Sequence, residues 1–522
     1  MQRRDRAKQG EMGFAPNASQ LTLPPRPVCS PVPPFRTQAM RILARSLALP
    51  LSLAGCAVSL AAQPATERVS RALLTTLDAK AEHYSGIARQ IWGFAEVGYQ
   101  EVKSSALLQS ELEQAGFRLE RGVAGIPTGF TATYGSGKPV IAIIGEFDAL
   151  PGLSQQATPE KKPVFEGGAG HGCGHHLFGT ASTAAAIAVK EWMAANKVAG
   201  TLRFYGTPAE EGGSGKVYMV RAGLFKDVDA AVSWHPGDRN DADPNSTLAN
   251  VSAKFRFRGV SAHAAAAPDK GRSALDGVEA MNHMVNMMRE HVPQETRIHY
   301  VITRGGLAPN VVPDFAEVFY YARHNDMRVL DGIWERIINA SKGAALGTDT
   351  KVEMEIIGAV YNVLPNETLS RAQQKNLERV GGVTYTAEEK AFAEKLRATL
   401  PPADLPLGSE ATVQPWAGVG IGSASTDLGD VSWAVPTVQL SAATWVPGTP
   451  AHSWQAVAAG GSSIGPKGMM VAAKTMSLTM IDLFTDASLI TKARAEFDKR
   501  RGADFVYRTR LDREKPALDY RK

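Results

Sequence analysis

The sequence predicts an α/β fold, a mostly parallel sheet sandwiched by helices, carrying an inserted α+β domain of ferredoxin-like order. Three observations predict it. Strand-like and helix-like segments alternate from residue 129 to residue 234. Near Thr247 the texture changes to the apolar/polar alternation of half-exposed antiparallel strands. At 522 residues, the chain also exceeds the usual size of one core.

The elements follow in order. Residues 66–115 space apolar side chains as helices do, and Gly116 supplies a stop. Residues 129–134 read as a strand and 139–145 as a buried one. A helix rich in Ala follows at 179–195, then strands at 201–206 and 230–234 with a short helix between them. Residues 251–259 alternate Ala253, Phe255 and Phe257 with Lys254, Arg256 and Arg258. A Met-rich helix at 273–291, strands at 297–303 and 316–323, a helix at 327–344 and a strand at 351–357 complete β-α-β-β-α-β. From Glu367 on, helices and apolar runs resume and can complete the first core. The expected division is a disordered extension and signal segment (1–65), a catalytic domain in two parts (66–246 and 366–490), a lid and dimerisation domain (247–365) and a charged, solvated tail (491–522). The Gly-rich stretch 418–422 lacks the strand-loop-helix setting of a phosphate loop and reads as a flexible segment near the site.

Composition narrows the function. Hydrophobic residues at 44% and charged residues at 21% suit a globular enzyme, and the net charge of +5 is spread along the chain. No basic run is interleaved with aromatics, so nucleic acid is excluded as a partner. Arg41 and Arg45 precede an apolar stretch at 46–55 that is too short to span a bilayer, the pattern of a secretory signal. Leu53-Ala54-Gly55-Cys56 resembles a bacterial lipoprotein box in which Cys56 would be lipid-anchored; Ser59-Leu60-Ala61 suits ordinary cleavage instead. The expected location is therefore periplasmic or anchored to the cell envelope. Of Cys29, Cys56 and Cys173, only Cys173 lies in the folded body, so no intramolecular disulfide can form there.

Candidate chemistry sits where ligands gather in this fold class, at the carboxyl ends of strands. The clusters are 145–151 with Glu146 and Asp148, 171–176 with Cys173, His175 and His176, 208–213 with Glu210 and Glu211, 234–236 with His235, and 448–454 with His452. Each alone has a bland explanation. A single Cys is usually a small buried hydrophobe, and an adjacent Glu pair is usually solvated. Cys-x-His between Gly172 and Gly174 is stronger, because the glycines let both side chains face one point. Thiolate with imidazole suits zinc, and imidazole with carboxylate also accepts manganese. Their joint occurrence at successive strand ends makes the site.

The stretches 145–152, 170–175, 208–216 and 448–455 resemble the M20 metallopeptidase family, in its amidohydrolase branch, over about residues 81–489. That resemblance implies a catalytic domain, a lid domain that also forms a homodimer, and two divalent metal ions (Mn2+ or Zn2+). It implies Cys173, His175, Glu211, His235 and His452 as metal ligands, Glu210 as general base and Asp148 as the residue that orients a ligand. Glu146 stands where other family members place a metal-binding His, and the role of His176 stays open. In the lid, His263 resembles the His that polarises the scissile carbonyl, often across the dimer, and Asn310 and Arg323 are candidates for the substrate carboxylate. The expected reaction is hydrolysis of an N-acyl or N-aroyl amino acid, such as p-aminobenzoyl-glutamate, by a metal-bound water that Glu210 deprotonates. Alternatives of the same mechanism are a dipeptidase or an N-acyl amino acid deacylase. Two others are a cysteine hydrolase built on Cys173 and a lipid-anchored binder of acyl amino acids.

Overall fold

The computed structural model describes residues 65–521. The expected signal segment, Cys29 and Cys56 lie outside the described residues. Where one helical pattern was expected, three helices open the body: α1 (Ala65–Ala79), α2 (Ala81–Phe94) and α3 (Val102–Gln114). Ala95, in the left-handed region with φ 44°, ends α2, and Gly116 (φ 90°) turns the chain out of α3. Then come β1 (Arg118–Arg121), β2 (Phe130–Ser136), β3 (Val140–Gly145), α4 (His175–Asn196), β4 (Gly200–Gly206), α5 (Gly215–Arg221) and β5 (Ala230–Gly237).

A second group follows: β6 (Ala249–Arg258), α6 (Ala274–Met288), β7 (Arg297–Arg304), β8 (Phe315–His324), α7 (Met327–Gly347) and β9 (Lys351–Val360). The chain finishes with α8 (Glu367–Val380), α9 (Ala387–Arg397), α10 (Leu428–Ala434), β10 (Thr437–Ala443), α11 (Trp454–Gly461), α12 (Ile464–Thr485) and α13 (Ala487–Arg501).

The larger sheet has the order β1-β2-β4-β3-β5-β10. Its four strands from β4 to β10 run parallel, while β2 lies antiparallel to β4 and β1 antiparallel to β2. All six residues of β3 are buried, as a central strand covered on both faces requires. One cover is α4, whose small residues Ala181, Ala184 and Ala185 are fully buried and let it sit close to α12 and α2. The expected strand returning from the last third of the chain is β10, paired with β5 from Thr437↔Ala231 to Ala443↔Gly237.

The smaller sheet, β7-β8-β6-β9, is antiparallel throughout and packs α6 and α7 over a separate core that includes Phe255, Phe257 and Tyr320. Its order is that of the ferredoxin-like arrangement. Among the described residues no helix is long and apolar enough to cross a membrane.

The expectation of a solvated tail at 491–522 is wrong for its described part. Residues 487–501 are α13, with Ala493 and Phe497 buried, and Leu511 is buried in the smaller core. The high charge misleads because several of these groups are paired, Arg510 with Asp331 and Arg513 with Glu355. An Arg stem buries well once its guanidinium is matched.

Candidate metal centre

Two strand ends (Glu211 after β4, His235 in β5), the start of α4 (Cys173, His175) and the loop before α11 (His452) bring the predicted ligands together. Gly174 starts α4 in the left-handed region (φ 77°), and a side chain there would put Cβ 2.7 Å from Pro236 Cβ. A Cβ on Gly172 would lie 2.6 Å from Leu153 Cδ1. Each glycine is thus required, one for conformation and both for close approach. Gly172 O also accepts from His452 N (2.8 Å), which joins the two loops, and His452 itself is left-handed at φ 59°.

Donor atoms then converge. Cys173, His175 and His235 form one metal-sized group, Cys173, Glu211 and His452 a second that shares Cys173, and Glu146, His175 and Glu210 a third that shares His175. Cys173 Sγ stands 3.5 Å from His235 Nε2, and His452 Nε2 stands 3.1 Å from Glu211 Oε1. His175 Nδ1 donates to Asp148 Oδ1 (2.9 Å), while His235 Nδ1 donates to Pro236 O (2.7 Å). Both rings therefore turn Nε2 toward the cluster, with the tautomer fixed from behind. Asp148 Oδ2 also accepts from Glu211 N (2.9 Å), so one carboxylate orients two of the five donors.

The buried atoms His175 Nε2 and Glu211 Oε1 make no hydrogen bond, although Glu146 Oε2 lies 3.0 Å from the first. Orphaned acceptors beside a thiol and imidazoles fit a divalent cation of borderline softness. Electrostatics agree. Burial, then His175, pulls His235 down to about 4, which leaves the neutral imidazole a ligand needs. Burial, then Glu211, pushes the Cys173 thiol up, so the thiolate forms only with a cation to compensate it.

Glu210 is half-buried, and its carboxyl is held well above the usual range by burial and then by the carboxylates of Glu146 and Glu211. The doublet sits in a strained loop, between Ala209 at φ 57° and Ser214 at φ 59°. Glu101, buried and bonded by Thr128, accepts from Ala209 N (2.8 Å) and holds that strain in place.

Other candidates fall elsewhere. His176 Nε2 bonds Gly460 O (3.1 Å) under the His171 ring, outside all three donor groups. His263 is exposed, with Nδ1 accepting from Ala265 N and Ala266 N, and Asn310 is an exposed neighbour whose carbonyl accepts from Ala264 N. Arg323 lies over the Tyr321 ring and reaches Ser425 Oγ at 3.5 Å. Among the described residues none of these three joins the metal-sized groups. Gly422, in the Gly-rich stretch, lines a cavity of about 310 Å³ together with His235 and Ser441.

Sequence reasoning missed one set. Lys216 is fully buried, with Nζ 2.7 Å from Glu146 Oε1 and 2.6 Å from Asp427 Oδ1. The single signal was a Lys inside the apolar run of α5; its partner Asp427 stands more than two hundred residues away.

A model of peptidase family M20/M25/M40 matches residues 142–404. The chain belongs to this family. Within M20, it is 43% identical over 456 residues to one of the two subunits of the p-aminobenzoyl-glutamate hydrolase of Escherichia coli, covering 82% of this chain and 95% of that protein. It is 28% identical over 448 residues to the Xaa-Arg dipeptidase of Mus musculus, covering 83% and 92%. Among solved structures, the aminobenzoyl-glutamate utilization protein of Klebsiella pneumoniae shares the fold with TM-score 0.54 at 18% identity, over 78% of this chain and 97% of that one. A dinuclear metal binding M20 peptidase of Bacillus subtilis gives TM-score 0.54 at 18% identity, over 78% and 100%. This M20 chain is a metal-dependent amidohydrolase that uses divalent metal ions.

Proposed function

We propose that the protein hydrolyses the amide bond of N-acyl or N-aroyl amino acids, with p-aminobenzoyl-glutamate-like amides as the substrate class. The observation that carries this reading is the pair of three-donor groups sharing Cys173, with Glu210 beside them. Cys173, His175, Glu211, His235 and His452 would hold two ions, Mn2+ or Zn2+. Bound divalent cations supply Lewis-acid polarisation of the carbonyl and lower the pKa of water at the site.

The chain's own residues do the rest. Glu210 takes a proton from the attacking water as its oxygen bonds to the carbonyl carbon, and returns that proton to the leaving nitrogen as the C–N bond breaks. Asp148 keeps His175 and Glu211 in register. The cavity beside His235 gives room for one end of the substrate. The 43% identity to a p-aminobenzoyl-glutamate hydrolase component supports the substrate class.

A second reading has one specific observation behind it. Asp238, Asp241 and Asp243 line that cavity with Arg239 as the one Lys or Arg among its lining residues, which suits a cationic side chain, as in an Xaa-Arg dipeptide. A screen of p-aminobenzoyl-glutamate, N-acyl amino acids and Xaa-Arg dipeptides, with amine release measured, separates the two. Chelation should abolish turnover, and Mn2+ or Zn2+ should restore it. Activity that survives chelation but falls to thiol alkylation would overturn the metal reading in favour of a Cys173 nucleophile.

We propose further that the protein pairs as a homodimer through the smaller sheet. β7 is an edge strand that exposes Val301 and Ile302, an apolar edge of the kind that pairs with another chain. The V301K/I302K double variant should convert a dimeric light-scattering mass to a monomeric one; a wild type already monomeric disproves the homodimer. His263, exposed on this unit, would then reach the partner's site. Both of the different subunits of the Escherichia coli hydrolase are relatives, so pairing with a second, different subunit is the other assembly to test in the same measurement.

A further inference from the structure

We propose that the segment from Thr509 to Arg521 is a strap that fixes the metal loop, with Tyr520 and Arg521 acting as positioning residues for the Glu210–Glu211 doublet. Tyr520 Oη donates to Glu211 O (2.9 Å), and Arg521 Nη2 donates to the same carbonyl (2.7 Å). On the other side of that residue, Glu211 N donates to Asp148 Oδ2. The backbone of one proposed ligand is thereby gripped at both of its polar groups, once by the catalytic core and once by a segment more than three hundred residues away in sequence.

The seat for the strap is shaped. A side chain on Gly98 would place Cβ 2.2 Å from Tyr520 Oη, so only glycine leaves room for that hydroxyl. The Tyr520 ring meets Tyr99 edge-on at 5.6 Å, and Tyr99 Oη donates to Gly213 O (2.6 Å). Two tyrosines in contact thus hold the carbonyls of residues 211 and 213, inside a loop whose Ala209 and Ser214 are strained and need outside support.

The strap is also tied along its length. Gln100 Nε2 donates to Leu518 O (2.7 Å), and Arg221 Nη1 donates to Arg513 O (2.6 Å). Arg510 pairs with Asp331 of α7 and Arg513 with Glu355 of β9. Those two anchors lie on the smaller sheet's unit, so the strap links that unit directly to the ligand loop. Partners behind a metal ligand commonly set its affinity, and their loss costs about 10–100-fold.

This inference rests on the metal reading, and the test is arranged to separate the two. Co2+ binding to the full-length protein is measured by chelator competition and by the visible spectrum, in the wild type, Y520F, Y520F/R521Q and C173A, with thermal unfolding of each metal-free protein alongside. Y520F keeps the ring against Tyr99 and removes the donor. The expected result is Co2+ affinity at least about tenfold weaker in the double variant, with a shifted visible band, whether or not the metal-free unfolding temperature falls. Wild-type affinity and spectrum in the double variant would overturn the strap, as would a drop in unfolding temperature without a change in Co2+ binding. Should the double variant not fold, Y520F alone decides, by a weaker affinity or an unchanged one. A wild type that binds no Co2+, or binds it equally in C173A, refutes the metal reading itself.

Discussion

Replacing Glu210 by Gln lowers kcat/KM by about 10²–10⁴-fold, the range of general acid–base catalysis, while the metal content of the purified protein stays at the wild-type level. Gln has the same shape and still accepts hydrogen bonds, but it cannot carry the proton from water to the leaving nitrogen. Metal content should hold because the two groups that share Cys173 form without Glu210, and Gln keeps an oxygen where Glu210 stands in the third group with Glu146 and His175. Its neighbour gives the opposite pattern. Glu211→Gln removes a charged donor from the Cys173–Glu211–His452 group, so metal content falls along with turnover. Steady-state kinetics with metal analysis on both variants reads the division of labour. If E210Q turns over substrate at the wild-type rate, the assignment of the base is wrong.

Lys216→Met destabilises the protein by roughly 3–5 kcal/mol, the cost of leaving a buried charge without its partner. Lys216, Glu146 and Asp427 are all fully buried or nearly so, and the ammonium lies between the two carboxylates. Burial opposes a charged Lys216, yet Asp427 and then Glu146 outweigh it and hold the ammonium above its ordinary value. Met fills the space and supplies no charge. Asp427 would keep its bond from Lys216 N (2.9 Å), which is backbone, but lose the one from Nζ. Urea unfolding of the metal-free protein measures the difference, and a loss under about 1 kcal/mol would show that the triad contributes no net stability. K216M/D427N, which removes a carboxylate together with the ammonium, should recover part of the deficit.

Much of this architecture is legible in the sequence, and physical reasons mark where legibility stops. Buried parallel strands write themselves as continuous apolar runs, which is why residues 139–145 stand out as a strand. The smaller sheet is legible from the alternation at 251–259, where each second residue faces the core. The antiparallel place of β2 is not, because residues 129–134 carry the same apolar pattern whichever way the strand runs. Glycines flanking Cys173 and strand ends before Glu210 and His235 mark the metal cluster locally. Lys216 and Asp427 carry no such mark: their chemistry exists only once two distant segments pack. The segment after α13 misleads for a related reason, since charge alone does not show that Arg510 and Arg513 have partners.

The order in which the donors occur along the chain makes one donor group local and the other dependent on the whole fold. Cys173, His175 and His235 all precede the smaller sheet, on the stretch that contributes β3, β4 and β5. Glu211 depends on His452, which comes more than two hundred residues later, after β10, the strand that pairs with β5. The Cys173–His175–His235 group thus draws on one continuous stretch of chain, while the Cys173–Glu211–His452 group exists only once the two ends of the catalytic domain have met across the inserted sheet.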